Sequence, residues 1–130
     1  MSGWRGYAAV GVGSALGSVL RLLLSQGTLA ALGPAFPWGT LAVNVLGSWL
    51  IAAFGAYAAC RGGGRAARWQ PFLMAGFCGG FTTFSLFGLE TLHLLERGRP
   101  GLALLYVLLG VPLWLAAAWW GDRFVRSRHG

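Results

Sequence analysis

Four apolar stretches of this chain are each long enough to cross a bilayer, and most of the charge is confined to the short segments around them. A helix needs about 20 apolar residues to span the hydrocarbon core. The stretches run from about Tyr7 to Leu24, Trp38 to Ala59, Pro71 to Leu95 and Leu102 to Gly121. A soluble domain carries about 25% charged residues. Here the figure is 10%, against 56% hydrophobic. The expectation is an all-α membrane protein with four transmembrane helices in a single domain, residues 1–130. The first stretch continues past any small-residue cleavage site, so it reads as a retained span and not a signal peptide.

The connections are predicted to be an uncharged Gly/Pro-rich turn from Gly27 to Pro37, an Arg/Gly-rich loop from Cys60 to Gln70, and a short charged turn from Glu96 to Gly101. Pro71 suits the first turn of its helix, where a missing N–H costs nothing. Pro112 lies inside the last span and is expected to kink it. The formal net charge is +7 and all ten basic residues are arginine. Flanking apolar spans, they act as topology signals, and no nucleic-acid partner is expected. With both termini on one side, Arg5, Arg61, Arg65, Arg68, Arg123, Arg126 and Arg128 face Arg21, Arg97 and Arg99 on the other. The seven-to-three bias predicts cytoplasmic termini in a multi-pass protein of the cell (inner, plasma) membrane. Cys60 and Cys78 form no metal spacing and no expected disulfide.

The third stretch contains Gly76-Phe77-Cys78-Gly79-Gly80-Phe81-Thr82-Thr83-Phe84-Ser85-Leu86-Phe87. Glycines and hydroxyls weaken a helix here, and the break is expected near Gly79-Gly80. In hydrocarbon such a break survives only inside protein or along a cavity. Broken helices at mid-depth are where membrane proteins tend to place ion sites. No internal repeat is present, so a symmetric midplane site requires a second chain. Gly11, Gly13, Gly17, Ser18, Gly47 and Ser48 permit close helix contact, between subunits or within one.

Each polar residue in the spans has two readings. Arg21, near the end of its span, is either a purely structural or topology-setting residue or an attractor of anions. Asn44 offers two N–H donors, for a helix–helix hydrogen bond or for an anion. Thr82, Thr83 and Ser85 either bond the carbonyl one turn back or line a site beside freed carbonyls. Phe84 and Phe87, three residues apart, are core packing or present electropositive ring edges to a small anion. Glu90 continues that face; it lines a vestibule or pairs with an arginine. His93 is expected at the interface. No set of residues suits catalysis, and the chain is not read as an enzyme.

Together these motifs resemble the Fluc, or CrcB, family of fluoride channels across nearly the whole chain. The resemblance rests on Gly13-Ser14-Ala15-Leu16-Gly17-Ser18-Val19-Leu20-Arg21, on Gly39-Thr40-Leu41-Ala42-Val43-Asn44-Val45-Leu46-Gly47, and on the Gly76–Phe87 stretch. It implies an antiparallel dimer with two pores that passively exports cytoplasmic fluoride. Asn44 would line a pore, with the ring edges of Phe84 and Phe87 facing the ion and Thr83 and Ser85 beside them. Backbone carbonyls of Gly79 and Thr82 from both subunits would hold a structural Na⁺. Arg21 would sit at a vestibule and Glu90 near a pore mouth. Tyr106 would begin a hydroxyl track along the last span, but Gly110 and Trp114 follow it at i+4 and i+8, where the family tends to show hydroxyls. The partner would be a second copy, or an oppositely oriented paralogue given the arginine bias. A small drug exporter of similar length is the alternative. It needs a carboxylate in the first span, and this span has none.

Overall fold

All four apolar stretches are helical in the computed structural model, which describes residues 3–129. The first helix covers Gly3–Leu32, the second Trp38–Arg61 and the last Pro100–His129. The third span, Arg65–Glu96, is assembled from shorter pieces. No strand occurs among the described residues.

The helices outrun the apolar stretches that predict them. Ser25 to Thr28 does not stop the first helix, and the Thr28 hydroxyl simply donates to the Ser25 carbonyl at 3.0 Å. The helix ends where Gly33 takes φ +82° and Pro34 follows. The predicted turn thus shrinks to about five residues, 33–37. The Arg/Gly loop likewise shrinks to Gly62–Gly64, with φ of +70°, +122° and +70°. Only glycine takes three such values in succession at low cost. Gly62 also closes the second helix, its N–H donating to the Ala58 carbonyl at 3.0 Å. The last helix continues unbroken across Pro112 and on to His129. Its final turns are amphipathic: Arg126 Nε meets Asp122 Oδ1 at 2.8 Å, and the Arg123 guanidinium lies 5.5 Å from the centre of the Trp119 ring. Aromatic and basic residues of this kind suit the bilayer interface.

The third span begins as an α-helix at Arg65–Gln70, loosens to π-helical winding over Pro71–Cys78, and tightens again at Gly79–Phe81. Winding changes at Pro71, which lacks an N–H and crowds the carbonyl one turn back. The chain then leaves the helix: Thr82 is extended, at φ −84° and ψ 157°, and helix resumes at Ser85–Glu96. The interruption therefore falls at Thr82–Phe84, just beyond the glycine pair. Gly79 itself has ordinary helical angles, φ −61° and ψ −39°.

The glycines serve packing instead. A Cβ on Gly17 would collide with the Phe77 carbonyl and lie 2.7 Å from the Phe81 nitrogen. One on Gly80 would collide with the Ser14 carbonyl and lie 2.8 Å from the Ser14 Cα. Gly13 and Gly76 are similarly opposed. Two glycine pairs, each spaced by four, let the first helix and the leading half of the third span touch backbone to backbone. The within-subunit reading of these small residues holds for Gly13, Gly17 and Gly47, whereas Gly11 faces open space. Cys78 is a buried packing residue and Cys60 is exposed.

The last helix packs mainly along the second. At one end of the bundle the 33–37 turn folds over a core of Phe36, Leu41, Phe87, Leu94, Ala103 and Tyr106. Elsewhere leucines such as Leu16, Leu23, Leu104 and Leu108 point outward, as lipid contact requires.

Candidate functional site

The interruption is held open by one side chain. Asn44 is almost fully buried on the second helix. Its Oδ1 accepts the Thr83 backbone N–H at 2.8 Å, and its Nδ2 donates to the Thr83 carbonyl at 2.8 Å. The amide thus replaces, for one residue, both backbone partners that a helix would have supplied. The helix–helix reading of Asn44 is correct, and one of its two N–H donors is used. The other remains available to the site.

Neighbouring backbone groups are redistributed in the same way. Within an unbroken α-helix the Gly80 carbonyl would receive the Phe84 N–H. Here it accepts the Arg21 Nε–H at 3.2 Å and the Ser18 hydroxyl at 3.4 Å. Arg21 therefore braces the broken end of the helix. It lines neither the groove at the interruption nor the cleft around Glu90. The Thr82 hydroxyl donates to the Cys78 carbonyl at 2.8 Å, the common back-bond of membrane-helix hydroxyls. Thr83 Oγ1 accepts the Leu86 N–H at 3.1 Å and so caps the resumed helix, with Ser85 Oγ 3.4 Å away. Besides Gly80, the Gly79 and Thr82 carbonyls lose their helical donors. Thr83 N–H, the partner of Gly79, goes to Asn44, and Leu86 N–H, the partner of Thr82, goes to a side chain.

The groove along this interruption has a volume of about 190 Å³ and is lined by Asn44, Ser48, Ile51, Thr82, Thr83, Phe84 and Trp114. Phe84 is 72% exposed, whereas Phe87 is 5% exposed, with ring centroids 5.6 Å apart. Phe87 fills a slot between two rings of the last helix, Tyr106 at 4.7 Å and Trp114 at 4.6 Å. Tyr106, fully buried, donates its hydroxyl to Glu90 Oε1 at 3.0 Å. The buried Thr40 hydroxyl lies beside both groups. Glu90 in turn lines a cleft of about 380 Å³ together with Thr40, Ser25, Thr28, His93 and Arg97. A connected series of side chains thus leads from a polar cleft at one end of the bundle, through Glu90, Tyr106 and Phe87, to Phe84 and the groove. Its middle is aromatic and its two ends are polar.

Asn44, Thr82, Thr83 and Phe84 are brought together in the groove, and Phe87, Tyr106 and Glu90 in the series behind it. Three contributors were missed in the sequence. Thr40 stands one turn before Asn44 on the same helix face, a spacing that was legible. Ser48 stands one turn after it and carries the same signal. Trp114 shares the Tyr106 face at i+8, but its position over Phe87 is a tertiary fact.

Four spans, one of them interrupted by polar residues and clamped by an amide from a neighbouring helix, define a multi-pass membrane protein of the helical-bundle class. The family model described as CrcB-like protein, Camphor Resistance (CrcB), matches residues 8–122. The chain belongs to this CrcB family. A Cereibacter sphaeroides protein named fluoride-specific ion channel FluC is 47% identical over 118 residues, covering 91% of this chain and 92% of that one. One of the same name from Nitrobacter winogradskyi is 47% identical over 124 residues, covering 95% and 97%. The Nitrobacter hamburgensis fluoride-specific ion channel FluC 1 is 44% identical over 129 residues, covering 95% and 97%.

Proposed function

We propose that this chain is a fluoride-selective passive channel, through which cytoplasmic fluoride leaves the cell and its toxicity is lowered. The observation that carries the reading is the Asn44 clamp on Thr83, which opens the third span beside the exposed Phe84 ring. The names of the relatives agree with it. Fluoride is small and strongly hydrated, so a pore must return donors for the water it strips away. The free Asn44 N–H and the Thr83 and Ser85 hydroxyls are such donors, while the single Tyr106 O–H is held by Glu90. The ring edges of Phe84 and Phe87 carry the positive end of the aromatic quadrupole. A larger halide gains less from each donor and fits a narrow aromatic slot poorly. HF enters an acidified cell uncharged and dissociates, and the membrane potential then drives the anion out.

Reconstituted protein is expected to release fluoride from liposomes far faster than chloride under a K⁺-clamped potential, with no proton gradient. A fluoride electrode and a chloride electrode read the two rates. Equal rates would remove the selectivity, and dependence on a proton gradient would favour an exchanger.

The working unit in this reading is an antiparallel dimer. The Gly79 and Thr82 carbonyls, deprived of helical donors, are hard oxygen ligands suited to Na⁺. Paired about a two-fold axis, they would hold one structural ion between the chains. The groove containing Asn44 and Phe84 is open on one subunit, and a partner would complete it. The seven-to-three arginine bias favours one orientation, since each basic residue near an anionic surface contributes about 1 kcal/mol. That bias works against an antiparallel homodimer; the dimer is nonetheless read as a homodimer on overexpression, because only opposed copies create the midplane site, and a paralogue of opposite bias can replace one copy in the cell. The lipid bilayer is the remaining partner.

Orientation is open to direct measurement. Glu96→Cys, in a Cys60→Ser background, introduces a label site in the turn between the third span and the last helix. Expressed alone, it is expected to react with an impermeant maleimide from both sides of the membrane. Reaction from one side only, with efflux intact, would exclude the antiparallel homodimer.

A further inference from the structure

Trp114 has an indole N–H that no protein group accepts. Its Nε1 is buried and without a hydrogen-bond partner. Leaving a buried donor unpaired costs about 1–3 kcal/mol, so such groups are rare and call for an explanation. The second orphaned indole, Trp49 Nε1, lines neither the groove nor the Glu90 cleft; Trp49 packs against Trp120 and Phe124. Trp114 instead lines the groove with Asn44, Thr82, Thr83 and Phe84, and stands against Phe87 at 4.6 Å and Phe84 at 6.4 Å, steeply inclined to both.

The room for this indole comes from Gly110. A Cβ at residue 110 would lie 3.3 Å from Trp114 Cζ2 and 3.6 Å from Cε2, the atom bonded to Nε1. The same Cβ would be 3.5 Å from Phe87 Cε1. The indole thus lies back along its helix, as long helical side chains do. Its Cζ2–Cε2 edge packs close against residue 110, within contact distance of where a Cβ would sit and beside Phe87. Glycine and tryptophan are matched, and together they put a donor next to the aromatic slot.

We propose that the Trp114 Nε1–H is a fluoride-binding donor of the conduction path, which receives the ion as it passes between Phe87 and the groove. The inference rests on the fluoride-channel reading. An indole N–H is a donor only, so it suits an anion and offers nothing to a cation. For the ion to reach the buried donor its covering must part, and the arriving ion then supplies the missing acceptor. The donor is thereby satisfied only while the ion is in transit.

The test is fluoride efflux from liposomes with three proteins: parent, Trp114→Phe, and Trp114→Phe combined with Gly110→Ser. Phenylalanine keeps an aromatic ring on Phe87 and removes the N–H. It also removes the outer ring edge that Gly110 accommodates, so a serine hydroxyl fits there. Trp114→Phe is expected to lower fluoride flux about ten-fold, the lower end of a hydrogen bond to a charged group. The double variant is expected to recover most of it, because a donor has returned to the same place. Parent-like flux in Trp114→Phe would make the indole packing alone. A loss that the double variant leaves unrescued, in correctly assembled protein, would assign the effect to ring packing and overturn the proposal. If the parent itself fails to favour fluoride over chloride, the channel reading falls and this inference falls with it. Selective parent flux with an unaffected Trp114→Phe overturns this inference alone.

Discussion

Asn44→Ala is expected to abolish fluoride efflux and to weaken the fold. Both 2.8 Å bonds to the Thr83 backbone vanish, and an N–H and a carbonyl are left without partners in an apolar surrounding. Each such group costs about 1–3 kcal/mol, so the interruption loses several kcal/mol of support. The variant alone therefore mixes folding with function. Asn44→Asp separates them: it keeps the acceptor for the Thr83 N–H, loses the donor, and sets a negative charge against both the Thr83 carbonyl and an arriving anion. It is expected to retain more protein in the monodisperse peak of a detergent gel filtration than Asn44→Ala, with flux down at least about ten-fold through loss of an anion-directed hydrogen bond. Parent-like efflux from either variant would remove Asn44 from the path.

The two phenylalanines carry the second large effect, and their environments make them separable. Phe84 is mostly exposed on one subunit, so Phe84→Ile costs a single chain little stability, and a fall in flux reports on the ion path or the partner contact. Phe87 is wedged between Tyr106 and Trp114, so Phe87→Ile also loosens the slot. Truncating a buried aromatic costs about 3–5 kcal/mol when cut to alanine, and isoleucine retains part of that. Each replacement is expected to cut fluoride flux about two- to ten-fold, since an aromatic edge contact contributes about 0.5–1.5 kcal/mol beyond area burial. Liposome efflux, with thermal stability in detergent measured alongside, checks both. Unchanged flux in both would leave the rings as packing.

The glycine pair shows how a residue can be noticed for a reason the fold does not use. Gly79-Gly80 marks a weak helix in any sequence reading, because glycine costs about 1 kcal/mol against alanine in a helix. The structure keeps both glycines helical and breaks the chain at Thr82. Backbone approach to Ser14 explains Gly80, and the Asn44 clamp explains the break. Local weakness and the site of rupture differ by two residues because a side chain on another helix, far along the sequence, decides which backbone groups can be freed.

By itself the sequence determined those features that composition along the chain dictates. Four apolar, nearly uncharged runs of bilayer length force four spans, since a lipid-facing backbone must bond to itself. The cluster of hydroxyls and aromatics at Thr82 to Phe87, with Asn44 on another span, marked the candidate site residues without saying what each touches. Tertiary structure decided the rest. It turned Arg21 into a brace for the Gly80 carbonyl, since only the close glycine contact brings those two helices within reach. It joined Glu90 to Tyr106 across 16 residues of sequence and set Trp114 over Gly110 beside Phe87. Spacing along one helix gives the face a residue occupies. Which group on a neighbouring helix meets that face depends on how closely the helices pack and where the third span breaks, and both are fixed by contacts between residues distant in the chain.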